Sequence, residues 1–342
     1  MSGGVEIRVR VAAVEQATHT VRRFRLESVS GEPLPPFSAG AHVVVTMDDD
    51  GRRIRNPYSL IDRAADGSSY RIGVLLTPNS RGGSKFMHER VKAGDELVIT
   101  MPVNLFPIVR TGRRHVLVAG GIGITPIYAM ANELRRASAP YELHYAMRNE
   151  ASGAFIDELR AAHGDKLKLY RDDMQEFVSV SEILPNQPLG THLYVCGPEG
   201  MIEAVLKGGR EAGWPEEHLH AERFLAPAGG EPFSVVLQRA GITAQVRADQ
   251  SLLEAIEEAG VDAPYLCRGG ACGQCETAVV SCDGSLVHND HFLTEEEHAS
   301  GKKIMTCVPR LKGRELVLDL RICPLASANC VLRDARCAGS SA

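Results

Sequence analysis

The eleven residues YLCRGGACGQC, Tyr265 to Cys275, place three cysteines and three glycines in one short stretch. Cys267, Cys272 and Cys275 follow the spacing C-x4-C-x2-C, and Cys307 comes later in IMTCVPR. Thiolates are soft ligands that suit zinc and iron–sulfur clusters. This spacing is that of a plant-type [2Fe–2S] cluster held by four cysteines. The cluster carries negative charge, so it needs backbone N–H groups aimed at its sulfurs. Gly269, Gly270 and Gly273 let the chain wrap closely enough to supply them. Zinc is the alternative, but structural zinc sites use paired C-x2-C knuckles and only one pair occurs here. Cys267, Cys272, Cys275 and Cys307 are therefore the predicted metal ligands.

The segments around this loop set the domain plan. FSVVLQ and TAQVRA read as strands and SLLEAIEEAG as a helix, so the loop belongs to a small α+β domain over 233–322. LAPAGGEP has the Pro/Gly-rich composition of a linker, placed at 226–232. Upstream, RRHVLVAGG is a continuous apolar run, as in a buried parallel strand, and TPIYAMANELRRA follows with helical period. Strand and helix then alternate through THLYVCG and PEGMIEAVLKGGREAG, which predicts a parallel α/β domain over 110–225. Residues 1–109 carry short alternating runs such as AHVVVTM and YRIGVLL between Gly, Pro and Asp turns, the pattern of an antiparallel β-barrel. The fold class is multidomain.

Composition narrows the function. A net charge of -5 gives no support for nucleic-acid binding. No run of eighteen apolar residues appears, and the start lacks the apolar core of a secretory signal, so a cytoplasmic location without membrane attachment is expected. Nine cysteines in a reducing compartment point to metal or redox chemistry rather than disulfides. Cys282 is expected to be a buried strand residue. Cys323, Cys330 and Cys337 fall in a weakly ordered tail, 323–342, with no assigned function.

VLVAGGIGITPIYAM sets Gly120, Gly121 and Gly123 between a strand and a helix, where phosphate can approach the backbone at the helix N-terminus. Thr125 follows, and Pro126 suits the first helical turn and stands where the last glycine of G-x-G-x-x-G would be. Cys196, Gly197 and Pro198 in YVCGPEGM end a strand, the edge at which open α/β sheets bind ligands.

RNPYSLID, RGGSKF, GGIGITP, YVCGPEGM and the cysteine pattern, in this order, resemble the phthalate dioxygenase reductase family from about Val5 to about Leu320. The resemblance implies a flavin barrel, a nicotinamide domain and a C-terminal β-grasp ferredoxin domain. It further implies that Tyr58 packs on the isoalloxazine and Ser59 hydrogen-bonds near N5, with Asn56 and Leu60 beside them. Arg55 would pair with the flavin phosphate, although Asn56 and Pro57, rather than one residue, separate it from Tyr58. Arg52 or Arg53 could take its place. Arg81, Gly82, Gly83 and Ser84 resemble the second phosphate grip. Phe224 of ERF would cover the ring. FMN is preferred to FAD, because no extra element for an adenine is evident. NADH is preferred to NADPH, although Arg148 follows the second strand of the α/β domain, where a 2′-phosphate or ribose would sit.

The implied reaction is hydride transfer from NADH to FMN, with Ser59 and Cys196 lining the catalytic site, then single-electron transfer through the cluster to a terminal Rieske-type oxygenase that docks transiently on the ferredoxin domain. Two alternatives stand beside it. The acceptor could be a cytochrome P450, a dehalogenase or a free ferredoxin. The chain could instead be a zinc-binding regulatory protein without turnover.

Overall fold

The structure is a computed structural model that describes residues 5–78, 80–185, 187–224 and 229–320. The chain divides into two compact units near residue 227. Cys323, Cys330 and Cys337 lie outside the described residues.

The first unit opens with β1 (Glu6–Gln16), β2 (Val21–Ser28), β3 (Ala41–Asp49), β4 (Arg52–Arg63) and β5 (Ser69–Leu75). A short helix α1 (Gly83–Glu89) leads to β6 (Glu96–Thr100) and the two-residue β7 (Val103–Asn104). The sheet order β4-β5-β2-β1-β6-β3 closes through β4–β3 pairing into an antiparallel barrel, with β7 added on β3. Period-two alternation drives this closure. In β1, Val9 and Val11 point into the barrel and are fully buried, while Arg8 and Arg10 flank them facing outward.

The α/β part of the same unit runs β8 (Arg114–Gly120), α2 (Ile124–Arg136), β9 (Tyr141–Met147), α3 (Ile156–His163), β10 (Leu167–Arg171), α4 (Val180–Ile183), β11 (Thr191–Cys196), α5 (Glu199–Glu211) and β12 (Leu219–Glu222). Its sheet, β10-β9-β8-β11-β12, is parallel throughout. The continuous apolar run of β8 follows from burial on both faces. Leu117 and Ala119 enter the core under α2, while Val116 and Val118 enter the opposite core under α5. Tyr194 and Cys196 of β11 share the α2 face. That core does not stop at the sheet: Val21, Ala39, Ile61 and Phe106 of the barrel belong to it. Glu133 of α2 reinforces the join, accepting from the Ala39 N–H at 2.9 Å and pairing with Arg110 at 3.1 Å.

The second unit contains β13 (Phe233–Leu237), β14 (Ile242–Val246), α6 (Leu252–Glu258), β15 (Glu276–Cys282), β16 (Ser285–Val287), α7 (Glu295–Ser300), β17 (Lys303–Met305), β18 (Arg310–Lys312) and β19 (Glu315–Asp319). Its main sheet is ordered β14-β13-β19-β15-β17, with β13 and β19 parallel and the other pairs antiparallel, the mixed β-grasp arrangement. Both helices begin in capping boxes, Ser251 with Glu254 and Thr294 with Glu297. Such a cap is worth about 1 kcal/mol. The cysteine loop occupies the connection between α6 and β15.

Candidate redox sites

In the cysteine loop, Cys267, Cys275 and Cys307 are buried and Cys272 is half-buried. The Sγ atoms of Cys275 and Cys307 lie 3.3 Å apart. Backbone amides already point at sulfur: Gly269 N–H donates to Cys267 Sγ at 3.3 Å, and Gly270 N–H to Cys307 Sγ at 3.2 Å. Gly270 has φ +71° and Gly273 φ +76°, both left-handed. A Cβ on Gly273 would fall 2.3 Å from the Phe292 ring, and one on Gly270 2.9 Å from Val308. The loop therefore depends on glycine at these two places. Thiols that receive N–H donors are the donor set an anionic iron–sulfur cluster requires. Cys282 does not match its expected burial. It is half-buried at the end of β15, with its Sγ–H donating to the Gly284 carbonyl at 3.4 Å.

On the barrel, β4 and α1 bring two of the quoted motifs together. A Cβ on Gly83 would sit 2.1 Å from Asn56 Nδ2, so the Asn56 carboxamide lies directly over the start of α1. The same Nδ2 donates to Tyr58 Oη at 3.4 Å. Burial pushes the Tyr58 phenol up to about 12, so it stays protonated at neutral pH. Ser59 is buried and opposes His42 across the β3–β4 ladder. Ser84 Oγ–H donates to Ser80 Oγ at 2.9 Å. Gly82 caps α1 with φ +116°. Arg55 and Arg81 are half-buried. The Leu60 side chain is in the barrel core, so only its backbone is available to a ligand.

The two glycine stretches of the α/β part meet at the carboxyl ends of β8 and β11. A Cβ on Gly123 would lie 2.2 Å from the Cys196 carbonyl oxygen, and one on Gly197 2.9 Å from Gly120 Cα. Gly121, by contrast, has φ +54° and open space where its side chain would be. A ligand has access to the backbone there. Thr125 Oγ1–H donates to the Ile122 carbonyl at 3.0 Å, and its methyl lies 3.0 Å from a Cβ built on Gly73 of β5. The loop thus abuts the barrel. Pro126 is buried as the third residue of α2, and Pro198 is the exposed cap of α5. Arg148 is exposed just past β9, and its carbonyl accepts from Asp173 N–H at 3.0 Å. Phe224 is 48% exposed.

Cys196 is 1% exposed, and burial, reinforced by the nearby Glu222 carboxylate, raises its thiol pKa well above the ordinary range. It is a neutral thiol at physiological pH. Glu222 faces Cys196 in the β11–β12 register, and sequence reasoning assigned it no role. Its Oε2 is buried with no hydrogen-bond partner, and burial pushes the carboxyl up to about 8. The only sequence signal was its place in ERF. Because the folded carboxyl holds its proton from the ordinary 4.5 up to about 8, stability should fall as pH rises through that window. Thermal melts of Glu222→Gln are expected to lose this slope, and an unchanged slope would assign it to another group.

Residues 101–219 match the family described as dimethylamine monooxygenase subunit DmmA-like, N-terminal domain, and 235–312 match the 2Fe-2S iron-sulfur cluster binding domain. The chain is 41% identical to a carnitine monooxygenase reductase subunit of Acinetobacter baumannii, over 91% of this chain and 96% of that protein. It is 44% identical to a heme-dependent oxidative N-demethylase beta subunit of Ectopseudomonas mendocina, over 91% and 98%. Among solved structures, phthalate dioxygenase reductase superposes with a TM-score of 0.82 at 34% identity, covering 92% of this chain and 98% of that one. An intact type IV self-sufficient cytochrome P450 monooxygenase matches at 36% identity and TM-score 0.67, covering 92% of this chain and 41% of the other. With its barrel, parallel sheet and C-terminal iron–sulfur domain in this order, the chain belongs to the phthalate dioxygenase reductase family of oxidoreductases, the reductase components of oxygenase systems.

Proposed function

We propose that the chain oxidises NADH with bound FMN and delivers single electrons, by way of a [2Fe–2S] cluster, to a Rieske-type oxygenase. Bound, the flavin accepts a two-electron hydride and the cluster releases electrons singly. The observation that carries this reading is the sulfur set, with Cys275 and Cys307 in contact and backbone N–H groups aimed at Cys267 and Cys307.

The residues do the positioning. Cys267, Cys272, Cys275 and Cys307 would hold the cluster. Asn56, Tyr58 and Ser59 would face the flavin ring, with the Leu60 backbone beside them and Phe224 covering it. Gly82, Gly83 and Ser84 at the start of α1, with Arg55 and Arg81, would take its phosphate. Gly120, Gly121, Gly123, Thr125 and Pro126 would receive the pyrophosphate, and Arg148 the ribose. Cys196, Gly197 and Pro198 would close over the nicotinamide. The protonated Tyr58 and the neutral Cys196 thiol keep charge away from the transfer site, where orientation and exclusion of water matter more than acid–base work. A thiol-based redox site suits a reducing cytoplasm. No described helix is long and apolar enough to cross a membrane.

The test is anaerobic reduction by NADH of the purified protein, with its extracted flavin identified by chromatography and a candidate Rieske oxygenase then added. FMN release, bleaching of both flavin and cluster bands, and reoxidation by the oxygenase are expected. A colourless protein ends the proposal. A second reading, with a heme enzyme as acceptor, is favoured by the 44% identity to the N-demethylase subunit. Reoxidation by a heme partner but not a Rieske partner would select it.

A further inference from the structure

One group of side chains in the second unit has no place in this chemistry. His288, Asp290 and His298 lie on the segment that follows β16 and runs into α7. One ligand atom from each lies within 4.8 Å of the other two. The Asp290 side chain is fully buried, a costly position for a carboxylate without a cation. Its Oδ2 accepts from Leu293 N–H at 2.9 Å and Phe292 N–H at 3.3 Å, which fixes its orientation. Both of its oxygens stand 3.2 Å from His298 Nε2.

His288 supplies the decisive detail. Its Nε2 lies 3.2 Å from the His298 carbonyl oxygen, which can only accept, so the proton is on Nε2. The lone pair is then on Nδ1. That atom is buried, has no hydrogen-bond partner, and lies 3.8 Å from Asp290 Oδ1. The two rings stack with centroids 4.3 Å apart. A plain ion pair would account for His298 with Asp290 but leaves the His288 lone pair without a donor. A metal ion accounts for all three. Nitrogen and oxygen ligands about 2.0–2.2 Å from a tetrahedral zinc ion are separated by roughly 3.3–3.6 Å, close to the 3.2 Å from Asp290 Oδ1 to His298 Nε2 and the 3.8 Å from Asp290 Oδ1 to His288 Nδ1. His298 is 28% exposed, which leaves an entry path and room for a water as fourth ligand.

We propose that His288 Nδ1, Asp290 and His298 Nε2 form a site for one divalent transition metal, with zinc as the best match to two imidazoles and a carboxylate. The His288 Nε2–H bond to the His298 carbonyl is the outer contact that orients the ring. The site adjoins the cysteine loop. Asp290 Cα lies 3.1 Å from a Cβ built on Gly270, and His291 N–H donates to the Gly270 carbonyl at 3.1 Å. A bound ion would therefore brace the loop from behind.

The test is equilibrium dialysis of the full-length, cluster-loaded protein against zinc in a competing metal buffer, with bound metal counted by atomic emission. Wild type is expected to take up one zinc per chain beyond its iron. His298→Ala, a change at a partly exposed residue, should weaken uptake about a hundredfold while flavin and cluster bands persist. Zinc-edge X-ray absorption of the wild type should show nitrogen and oxygen neighbours with imidazole scattering and no sulfur. Absence of zinc uptake, uptake unchanged in His298→Ala, or sulfur neighbours on the zinc would each overturn the site. The sulfur result would move the metal to cysteine.

Discussion

Replacing Cys272 by serine is expected to abolish the visible absorbance of the iron–sulfur centre while NADH still reduces the flavin. Cys272 is one of the four predicted ligands, and a hydroxyl is a harder, less readily ionised donor than a thiol. The barrel and the α/β part have apolar cores of their own, to which no residue of the cysteine loop belongs. Flavin reduction should therefore proceed at close to the wild-type rate, and electron delivery to an oxygenase or to a one-electron acceptor such as cytochrome c should drop to background. Stopped-flow spectra at flavin and cluster wavelengths separate the two events. Loss of flavin reduction together with the cluster bands would show that the modules cannot act separately.

The second large effect is expected at Gly123. An alanine methyl there would meet the Cys196 carbonyl oxygen at 2.2 Å, its carbon at 2.5 Å and Gly197 N at 2.8 Å. All three are backbone atoms at the end of a buried strand, so the clash cannot be relieved by turning a side chain. The loop must move, and a displacement of this order at a positioning element can cost about a hundredfold in rate. Gly123→Ala should slow NADH-dependent flavin reduction to that extent and leave flavin and cluster spectra in place. Gly121→Ala is the useful contrast, since its side chain would enter open space and pays only for a left-handed backbone. Near-normal reduction in Gly123→Ala would remove this loop from the nicotinamide site.

The local features of the fold were legible because local chemistry dictates them. The cysteine pattern pointed to thiols that the fold brings together, Cys275 and Cys307 among them, and the apolar run of β8 announced burial on two faces. What stayed hidden depends on register and on distant contacts. Glu222 gains its character from burial, at a place set by the β11–β12 register. Asn56 lies over Gly83 through packing between β4 and α1, which no local pattern encodes. Cys282 was expected to be a buried strand residue, and it stands half-buried at the end of β15. The register of β15 on β19 slips between Val279 and Ser281, and this irregularity breaks the alternation. His288, Asp290 and His298 are separated in the sequence and are brought together only by the fold, which stacks the two imidazole rings.

The core shared by barrel and parallel sheet has a practical corollary for dissecting this enzyme. Val21, Ala39, Ile61 and Phe106 bury themselves against residues of α2 and its sheet rather than in the barrel interior. A fragment cut at residue 109 would strip cover from these side chains and present a sticky apolar face to solvent. Calorimetry on residues 1–224 should then record a single cooperative melt, and the isolated flavin half should prove prone to aggregation.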